Sequence, residues 1–150
     1  MTGWWGRGRI PAVLTGILVL SACTESAPPR PDIQVEEAWV RAVAGPNVNT
    51  AAYMTLQNTG SAPDRLTGAR SDIARMTGLH RTTIDERGLA RMGEVEALDL
   101  PAGGAVALEP GGFHIMLMGV ESLVSGDTVE ITLLLEGSGP LDVAAEVRTF

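Results

Sequence analysis

The sequence predicts a single all-β domain of the β-sandwich or Greek-key barrel type, and three observations lead to that prediction. From residue 33 onward, apolar and polar residues alternate in short stretches, which is typical of half-buried strands. Clusters of Gly, Pro, Asn and Asp interrupt these stretches at intervals of about 8–12 residues. The 18 Gly and 9 Pro are scattered, and no helical period of any length is present. Such a pattern favours many short strands joined by turns over long helices.

The alternation predicts about eight or nine strands. In chain order they are a pair of strands around Glu36–Glu37, then residues 51–57, 66–69, 79–84, 89–95, 106–108, 113–118, 128–135 and 141–147. Residues 71–76 fit either a loop or a short helical turn. Asn58 begins an Asn-Thr-Gly turn, which it is expected to close through side-chain hydrogen bonds.

The first 22 residues have the features of an export signal. They begin with a basic stretch that lacks acidic residues, continue with a short apolar run over residues 10–22, and end in small residues. The run is too short to span a bilayer, which needs about 20 apolar residues. Residues 20–23, Leu-Ser-Ala-Cys, resemble the bacterial lipobox, in which the Cys is acylated and becomes the mature N-terminus. Cys23 is the only Cys of the chain, which favours this interpretation over a signal peptide with an incidental Cys.

Three segments follow from this interpretation. Residues 1–22 form the signal peptide, residues 23–32 form the lipidated Cys23 and a Pro-rich tether, and residues 33–150 form the β domain. Several buried acyl chains would hold Cys23 stably in a membrane. The sequence therefore predicts a lipid-anchored protein of the cell envelope, on the periplasmic or extracytoplasmic face.

The charge of the chain argues against binding to nucleic acid. The net charge is −7, there is no Lys, and two of the 11 basic residues, Arg7 and Arg9, lie in the signal peptide. Phosphate binding needs clustered positive charge, which this sequence lacks. The acidic residues form no long run, so they indicate a solvated surface that is also compatible with handling a cation.

His114 and Met116 are the first two candidate metal ligands. Residues two apart on a strand point to the same face, so these side chains lie together on the predicted strand 113–118. Phe113, Ile115 and Leu117 then form the core face. His114 and Met116 are expected on the less buried face, and Met118 continues that face as a bystander.

His80 and Met92 are the other two candidates, because they flank the predicted hairpin turn at residues 85–88. If the loop is centred on Glu86, the two residues lie directly opposite each other, with Cβ atoms about 5 Å apart. A two-residue turn at Glu86–Arg87 would shift this register by one. The opposite pairing is therefore conditional on the loop.

Two imidazoles and two thioethers together favour Cu(I). Thioethers are soft ligands that bind Cu(I) in preference to Zn²⁺, Mg²⁺ or Ca²⁺. The sequence has no acidic cluster with calcium-loop spacing and, once Cys23 is acylated, no thiolate for a zinc or blue-copper site. A site without a thiolate favours binding and transfer of copper over electron transfer.

The spacing of these ligands resembles the metal motif of the periplasmic copper chaperone family called PCuAC. Further similarity lies in residues 38–41, in residues 52–58 and in the Pro-Gly-Gly-Phe-His-Ile-Met-Leu-Met-Gly run at residues 110–119. The resemblance implies a cupredoxin-like fold that binds one Cu(I) near the surface. It also implies delivery of copper to the copper-site subunit of cytochrome c oxidase, often with a second, thiol-based copper protein. Many members have Met after the first His, whereas this chain has Arg81, which puts any additional thioether at that point in doubt.

Two other classes of function compete with copper transfer. The first is a non-metal envelope lipoprotein, a β-sandwich interaction module in which the His and Met side chains merely pack. The second is an enzyme, but the sequence contains no nucleophile elbow, no phosphate-binding Gly-rich loop and no supported acid–base pair. A non-enzymatic protein is therefore predicted. Trp39 and Tyr53 are expected to pack in the core or at the rim of the site and not to bind metal.

Overall fold

The computed structural model describes residues 1–3 and 27–149. Cys23, the predicted lipobox and nearly all of the predicted signal peptide lie outside the described residues. Within the described part the chain is all-β and contains ten strands and no helix, which confirms the predicted fold class. Accordingly, no described helix has the length and apolar character needed to cross a bilayer.

Most strands are slightly longer than the alternation predicts, and one strand is added. They are β1 (Ile33–Arg41), β2 (Val48–Asn58), β3 (Asp64–Arg70), β4 (Met76–Ile84), β5 (Ala90–Glu94), β6 (Leu98–Leu100), β7 (Ala105–Leu108), β8 (Phe113–Val120), β9 (Thr128–Leu135) and β10 (Gly139–Arg148). The added strand is the three-residue β6. Residues 71–75, which the sequence left open, form a turn.

All ten strands belong to one sheet, in the order β5-β4-β8-β7-β2-β1-β10-β9-β3-β6. Strand β2 is long enough to pair with β8 over its first half and with β7 over its second half. Strands β1 and β10 run parallel, which joins the N-terminal and C-terminal ends of the domain. Strand β8 is thus a central strand, flanked by β4 and β2.

The core is built from alternate residues of these strands, as the predicted period of two requires. Ile131 and Leu133 of β9, Ile115 and Leu117 of β8 and Leu56 of β2 are fully buried. The apolar face of every long strand turns to the same cluster. The opposite face of β4 and β8 is left to polar and sulfur-containing side chains.

The predicted strand pair around Glu36–Glu37 is wrong, because residues 33–41 form one strand. Strand β1 stays paired with β2 on both sides of Glu37, and its register shifts between Glu36 and Trp39. Glu37 adopts a left-handed conformation with a φ of 52°. A β-bulge of this kind adds residues to one strand without ending it. The polar Glu-Glu pair therefore marks a bulge and not a turn.

The predicted role of Asn58 is confirmed. Its side-chain oxygen accepts hydrogen bonds from the amides of Asp32 and Gly60, at 3.2 and 3.0 Å. Its side-chain amide donates to the carbonyls of Ala62 and Leu100. Asn58, the last residue of β2, therefore connects the start of the domain to the turn that follows β2.

Candidate metal centre

The two histidines lie side by side on neighbouring strands. His80 of β4 is directly opposite His114 of β8, and the ring centroids are 6.0 Å apart. Directly opposite residues of an antiparallel pair point to the same face of the sheet. The topology therefore brings together two imidazoles that are 34 positions apart in sequence.

His114 lies on the predicted face but is more buried than expected. Ile115 and Leu117 point into the core as predicted, and His114 points the other way, yet only 2% of His114 is exposed. The expectation of a less buried face is wrong for this residue because β8 is a central strand. Side chains of both flanking strands cover its outer face, and the ring of Tyr53 lies 6.3 Å from the ring of His114.

Each histidine presents a buried ring nitrogen that has no hydrogen-bond partner among the described residues. These atoms are Nδ1 of His80 and Nε2 of His114. Nδ1 of His114 lies 3.2 Å from the carbonyl oxygen of Gly112. Since a carbonyl only accepts, this nitrogen carries the proton and donates it, which leaves a free lone pair on Nε2. An unpaired buried polar atom costs free energy, and a metal ion would satisfy it.

His114 is also held in the neutral form that binds metals. Burial lowers the pKa of the His114 imidazole below its ordinary value of 6.5. The hydrogen bond to Gly112 acts in the opposite direction, and the neighbouring His80 adds to the lowering. The net effect is a lower pKa, so His114 stays neutral further into the acidic range than an exposed histidine does.

The conditional register of Met92 is wrong. Met92 lies opposite Thr82, and His80 lies opposite Glu94, because the loop is centred on Arg87 and not on Glu86. The carboxylate of Asp85 accepts hydrogen bonds from the amides of Arg87 and Leu89, both at 3.0 Å, and this holds the longer turn. Met92 still points to the same face as His80, two positions along the strand, as a diagonal neighbour.

Three of the four predicted residues line one cavity of about 170 Å³: Met92, His114 and Met116. Tyr53 closes another side of this cavity. Met116 lies opposite Gly78 on one flank and opposite Ala51 on the other. His80 joins the group through its pairing with His114. The fold thus gathers all four predicted residues on one face.

The aromatic residues form the rim, as predicted. The rings of Trp39 and Tyr53 stack with centroids 4.6 Å apart and planes tilted by 37°. Arg81, the position at which the chain departs from the resembled motif, turns away from the histidines, and its guanidinium lies 4.9 Å from the centre of the Phe113 ring. In the described part of the chain, no group of three His, Cys, Asp or Glu side chains could hold a metal. A metal centre there would depend on the thioethers.

Three contributors to this face could not be predicted from the sequence: Gly78, Gly112 and the cover that Tyr53 provides over His114. Gly112 supplies its backbone carbonyl to His114, and Gly78 leaves room for the ring of His80. Neither glycine carries a side chain whose chemistry would mark it in the sequence. Only the pairing of β4 with β8 reveals what Gly78 does.

A sequence profile of the LpqE-like family, described as "Putative lipoprotein LpqE-like", matches residues 33–147. The protein "Putative lipoprotein Lxx21020" of Leifsonia xyli subsp. xyli is 38% identical over 141 residues, which cover 91% of this chain and 83% of that protein. These two matches span the whole β domain.

Solved structures of copper-binding domains have the same fold. The apo form of DR1885 from Deinococcus radiodurans is 35% identical with a TM-score of 0.60, and the match covers 99% of this chain and 97% of that one. Its Cu(I) form is 36% identical with a TM-score of 0.57 and covers 85% and 83%. The copper-bound PCuAC domain from PmoF2 is 27% identical with a TM-score of 0.65 and covers 79% and 93%. These similarities agree with the cupredoxin-like fold and the PCuAC resemblance.

Proposed function

This chain belongs to the LpqE-like lipoprotein family, and on that premise we propose that it is an extracytoplasmic chaperone for Cu(I). One observation carries the proposal: two buried imidazole nitrogens, which have no hydrogen-bond partner in the described part of the chain, lie beside two thioethers on one face of the sheet. His80 and His114 would supply nitrogen, and Met92 and Met116 would supply sulfur.

The chemistry of this donor set selects the cargo. All four donors are neutral, so they hold a monovalent cation without burying additional charge. Thioether sulfur is soft, which favours Cu(I) over the harder divalent ions. The proton on Nδ1 of His114 fixes that ring for coordination through Nε2, since the carbonyl of Gly112 orients it in the way that a backbone partner orients a metal-bound histidine.

The solved relatives support the same cargo. DR1885 was solved with Cu(I), and the PCuAC domain of PmoF2 was solved with copper. Both are at least 27% identical to this chain and match it across most of its length.

The unequal exposure of the ligands suggests how copper would leave. His114 is buried, whereas Met92 is 53% exposed. Met92 also lies on the edge strand β5. A thiolate of an acceptor protein could reach the ion from the side of Met92, replace this thioether first, and then draw the ion away by stepwise exchange. We propose a thiol-based copper protein or the copper-site subunit of cytochrome c oxidase as the acceptor.

The same proposal includes the location and the segments of the chain. Residues 1–22 would direct export, Cys23 would carry the lipid, residues 24–32 would act as a tether, and residues 33–150 would bind the ion. The protein would thus lie on the periplasmic or extracytoplasmic face of a membrane. Its role would be transfer and not catalysis.

The decisive experiment is an anaerobic Cu(I) titration against a competing chromophoric chelator. The protein is the full chain in detergent micelles with Cys23→Ser, so that no thiol competes. We expect one tightly bound Cu(I), and a loss of affinity of at least about a hundredfold, roughly 2.7 kcal/mol, in the double variant Met92→Leu and Met116→Leu.

A matched control is Met54→Leu, which changes a methionine that is buried in the core away from the site. Leu replaces Met with little change in volume, so each variant should fold. Copper binding that is indifferent to the double change would refute the chaperone proposal and favour a tethered interaction module.

A further inference from the structure

A second pair of thioethers lies next to the proposed site on the same face of the sheet. Met76 of β4 is directly opposite Met118 of β8, which places the two Cβ atoms about 5 Å apart. Along β8, His114, Met116 and Met118 follow one another at every second position. Along β4, Met76, Gly78 and His80 do the same. The four-ligand site uses neither Met76 nor Met118.

Gly78 opens a gap between this pair and His80. A Cβ atom on Gly78 would lie 2.9 Å from Nε2 of His80 and 4.0 Å from the terminal methyl of Met118. The imidazole of His80 and the thioether of Met118 therefore converge over the same vacant position. Any residue larger than Gly would fill the space in which these two side chains meet.

Core packing does not explain this pair. Methionines in a sheet usually fill gaps in the hydrophobic core. Met76, however, is 65% exposed, and Met118 is half-buried on the face that turns away from the core. The neighbouring core positions belong to Leu79 and Leu117. A side chain as exposed as that of Met76 contributes little to packing, whereas its thioether is accessible to an ion.

We propose that Met76, Met118 and the Nε2 edge of His80 form a second, outer site for Cu(I). Two thioethers and one imidazole are again a soft, neutral donor set. The outer site is open to solvent through Met76, and it shares His80 with the inner site. It is a landing position at which Cu(I) is held before it enters the inner site or after it leaves it.

The shared histidine makes the two sites alternatives for one ion. A neutral imidazole has one nitrogen with a free lone pair, so His80 binds either through Nδ1, the buried nitrogen, or through Nε2 over Gly78. Binding at the outer site therefore requires that His80 is released from the inner one. The inference rests on the proposed function in this respect, since it takes His80 to be a ligand of the inner site.

The test uses silver(I), a redox-stable substitute for Cu(I), and the carbon-13-labelled methyl groups of methionine, observed by NMR. The protein is the full chain with Cys23→Ser in detergent micelles, with and without the inner-site changes Met92→Leu and Met116→Leu. In the chain with an intact inner site, the first equivalent of silver(I) should shift the methyl signals of Met92 and Met116. In the inner-site variant it should shift those of Met76 and Met118, while Met54 stays unchanged as an internal control.

A second measurement removes the outer pair. Adding Met76→Leu and Met118→Leu to the inner-site variant should lower its affinity for silver(I) by at least about tenfold. Unshifted Met76 and Met118 signals in the inner-site variant, or an affinity that these two changes leave the same, would overturn the outer site. Failure of the first equivalent to shift Met92 and Met116 in the intact chain would instead count against the proposed function, so the two failures are distinguishable.

Discussion

Gly78 is the residue on which the shape of the metal-binding face depends most. It separates Met76 from His80 on β4 and lies opposite Met116 on β8. Its missing side chain leaves the space into which the His80 ring turns. A single methyl group there would be enough to move the ring, because a contact of 2.9 Å between a Cβ and a ring nitrogen is too short to persist.

We therefore expect Gly78→Ala to weaken Cu(I) binding by about tenfold, roughly 1.4 kcal/mol, because the added methyl group displaces the ring of His80. Chelator competition measures this change. The matched control is Gly93→Ala on the neighbouring strand β5, where an added Cβ has no atom within 4 Å among the described residues. Equal affinities of the two variants would contradict the role given to Gly78.

The sequence could predict that the four proposed ligands share a face, because the spacing of residues on a strand fixes the face of each side chain. The burial of His114 could not, since it depends on which strands flank β8, and that order joins segments far apart in the chain. The role of Gly78 was hidden for the same reason. A glycine within a strand predicts nothing until its partner across the sheet is known.

At the scale of elements, the hairpin of β4 and β5 carries two of the four proposed ligands and is the least supported part of the site. Strand β5 is an edge strand, and all five of its residues are exposed. The turn depends on Asp85, whose carboxylate accepts two backbone hydrogen bonds and pairs with Arg91 at 3.2 Å. The position of Met92 therefore depends on one half-buried carboxylate.

Asp85→Ala should loosen this turn and reduce Cu(I) affinity several-fold, because Met92 would have to be ordered when the ion binds. The midpoint of thermal unfolding should hardly change, since β5 contributes no buried residue. Asp99→Ala is the matched control: Asp99 is likewise paired with an arginine, Arg65, but it lies on the other edge strand. An Asp85→Ala chain that bound copper as tightly as Asp99→Ala would rule this role out.

The hairpin also marks the limit of what turn chemistry alone can predict. Residues 85–88 were correctly assigned to a turn, but the residue at its centre was wrong by one position. That error moved the partner of Met92 from His80 to Thr82. The deciding factor was a hydrogen bond that the Leu89 amide donates to the Asp85 carboxylate, which the turn propensities of the residues do not reveal. Met92 nevertheless lies on the predicted face of the sheet, because a shift of its partner by two positions leaves the alternation of side chains unchanged.

At the scale of the whole molecule, the end of the sheet that carries β3 and β6 is held by a buried carboxylate. Asp64 accepts hydrogen bonds from the amides of Arg65, Gly137 and Ser138 and from the Ser138 hydroxyl, at 2.6–2.9 Å. Burial raises the pKa of Asp64, but the hydrogen bonds from Ser138, Gly137 and Arg65 outweigh it and hold the pKa below its ordinary value. The charged carboxylate thus joins β3 to the turn between β9 and β10.

Asp64→Asn should lower the free energy of unfolding by about 2 kcal/mol near neutral pH, because an amide cannot accept all of these bonds. The folded pKa is depressed, so the contribution is present above the unfolded pKa of about 3.9 and is lost as the pH falls through the folded pKa. The stability difference between the two chains, measured by urea unfolding, should therefore shrink from about pH 6 to about pH 2.5. A stability difference that stays constant over this range would contradict the role of the charged Asp64 carboxylate. The Cu(I) affinity of Asp64→Asn at neutral pH should equal that of the unchanged chain.

The global fold was more predictable than its details. Alternation in β9 and β10 identified both strands almost to the residue, because each buries one clean apolar face. The bulge at Glu37 was mistaken for a turn, since two consecutive glutamates interrupt the alternation in the same way. The sheet order and the parallel pairing of β1 with β10 could not be predicted from the sequence, because no local pattern indicates which distant strand is a neighbour.

The chain enters the domain where the carbonyl of Arg30 accepts hydrogen bonds from Ser61 and Ala62, just past the end of β2. Tyr53, which lies beside His114, is five residues before the end of β2 at Asn58, and the two residues are thus about 17 Å apart at 3.3 Å per residue. From there the ligands run along β8 from His114 to Met118, further from the entry point. With Cys23 in a bilayer, as we propose, Met76 and Met118 would be the ligands furthest along the sheet from the tethered end of the domain. An acceptor that approaches from the side away from the tethered end would then reach these two sulfur atoms before the other ligands.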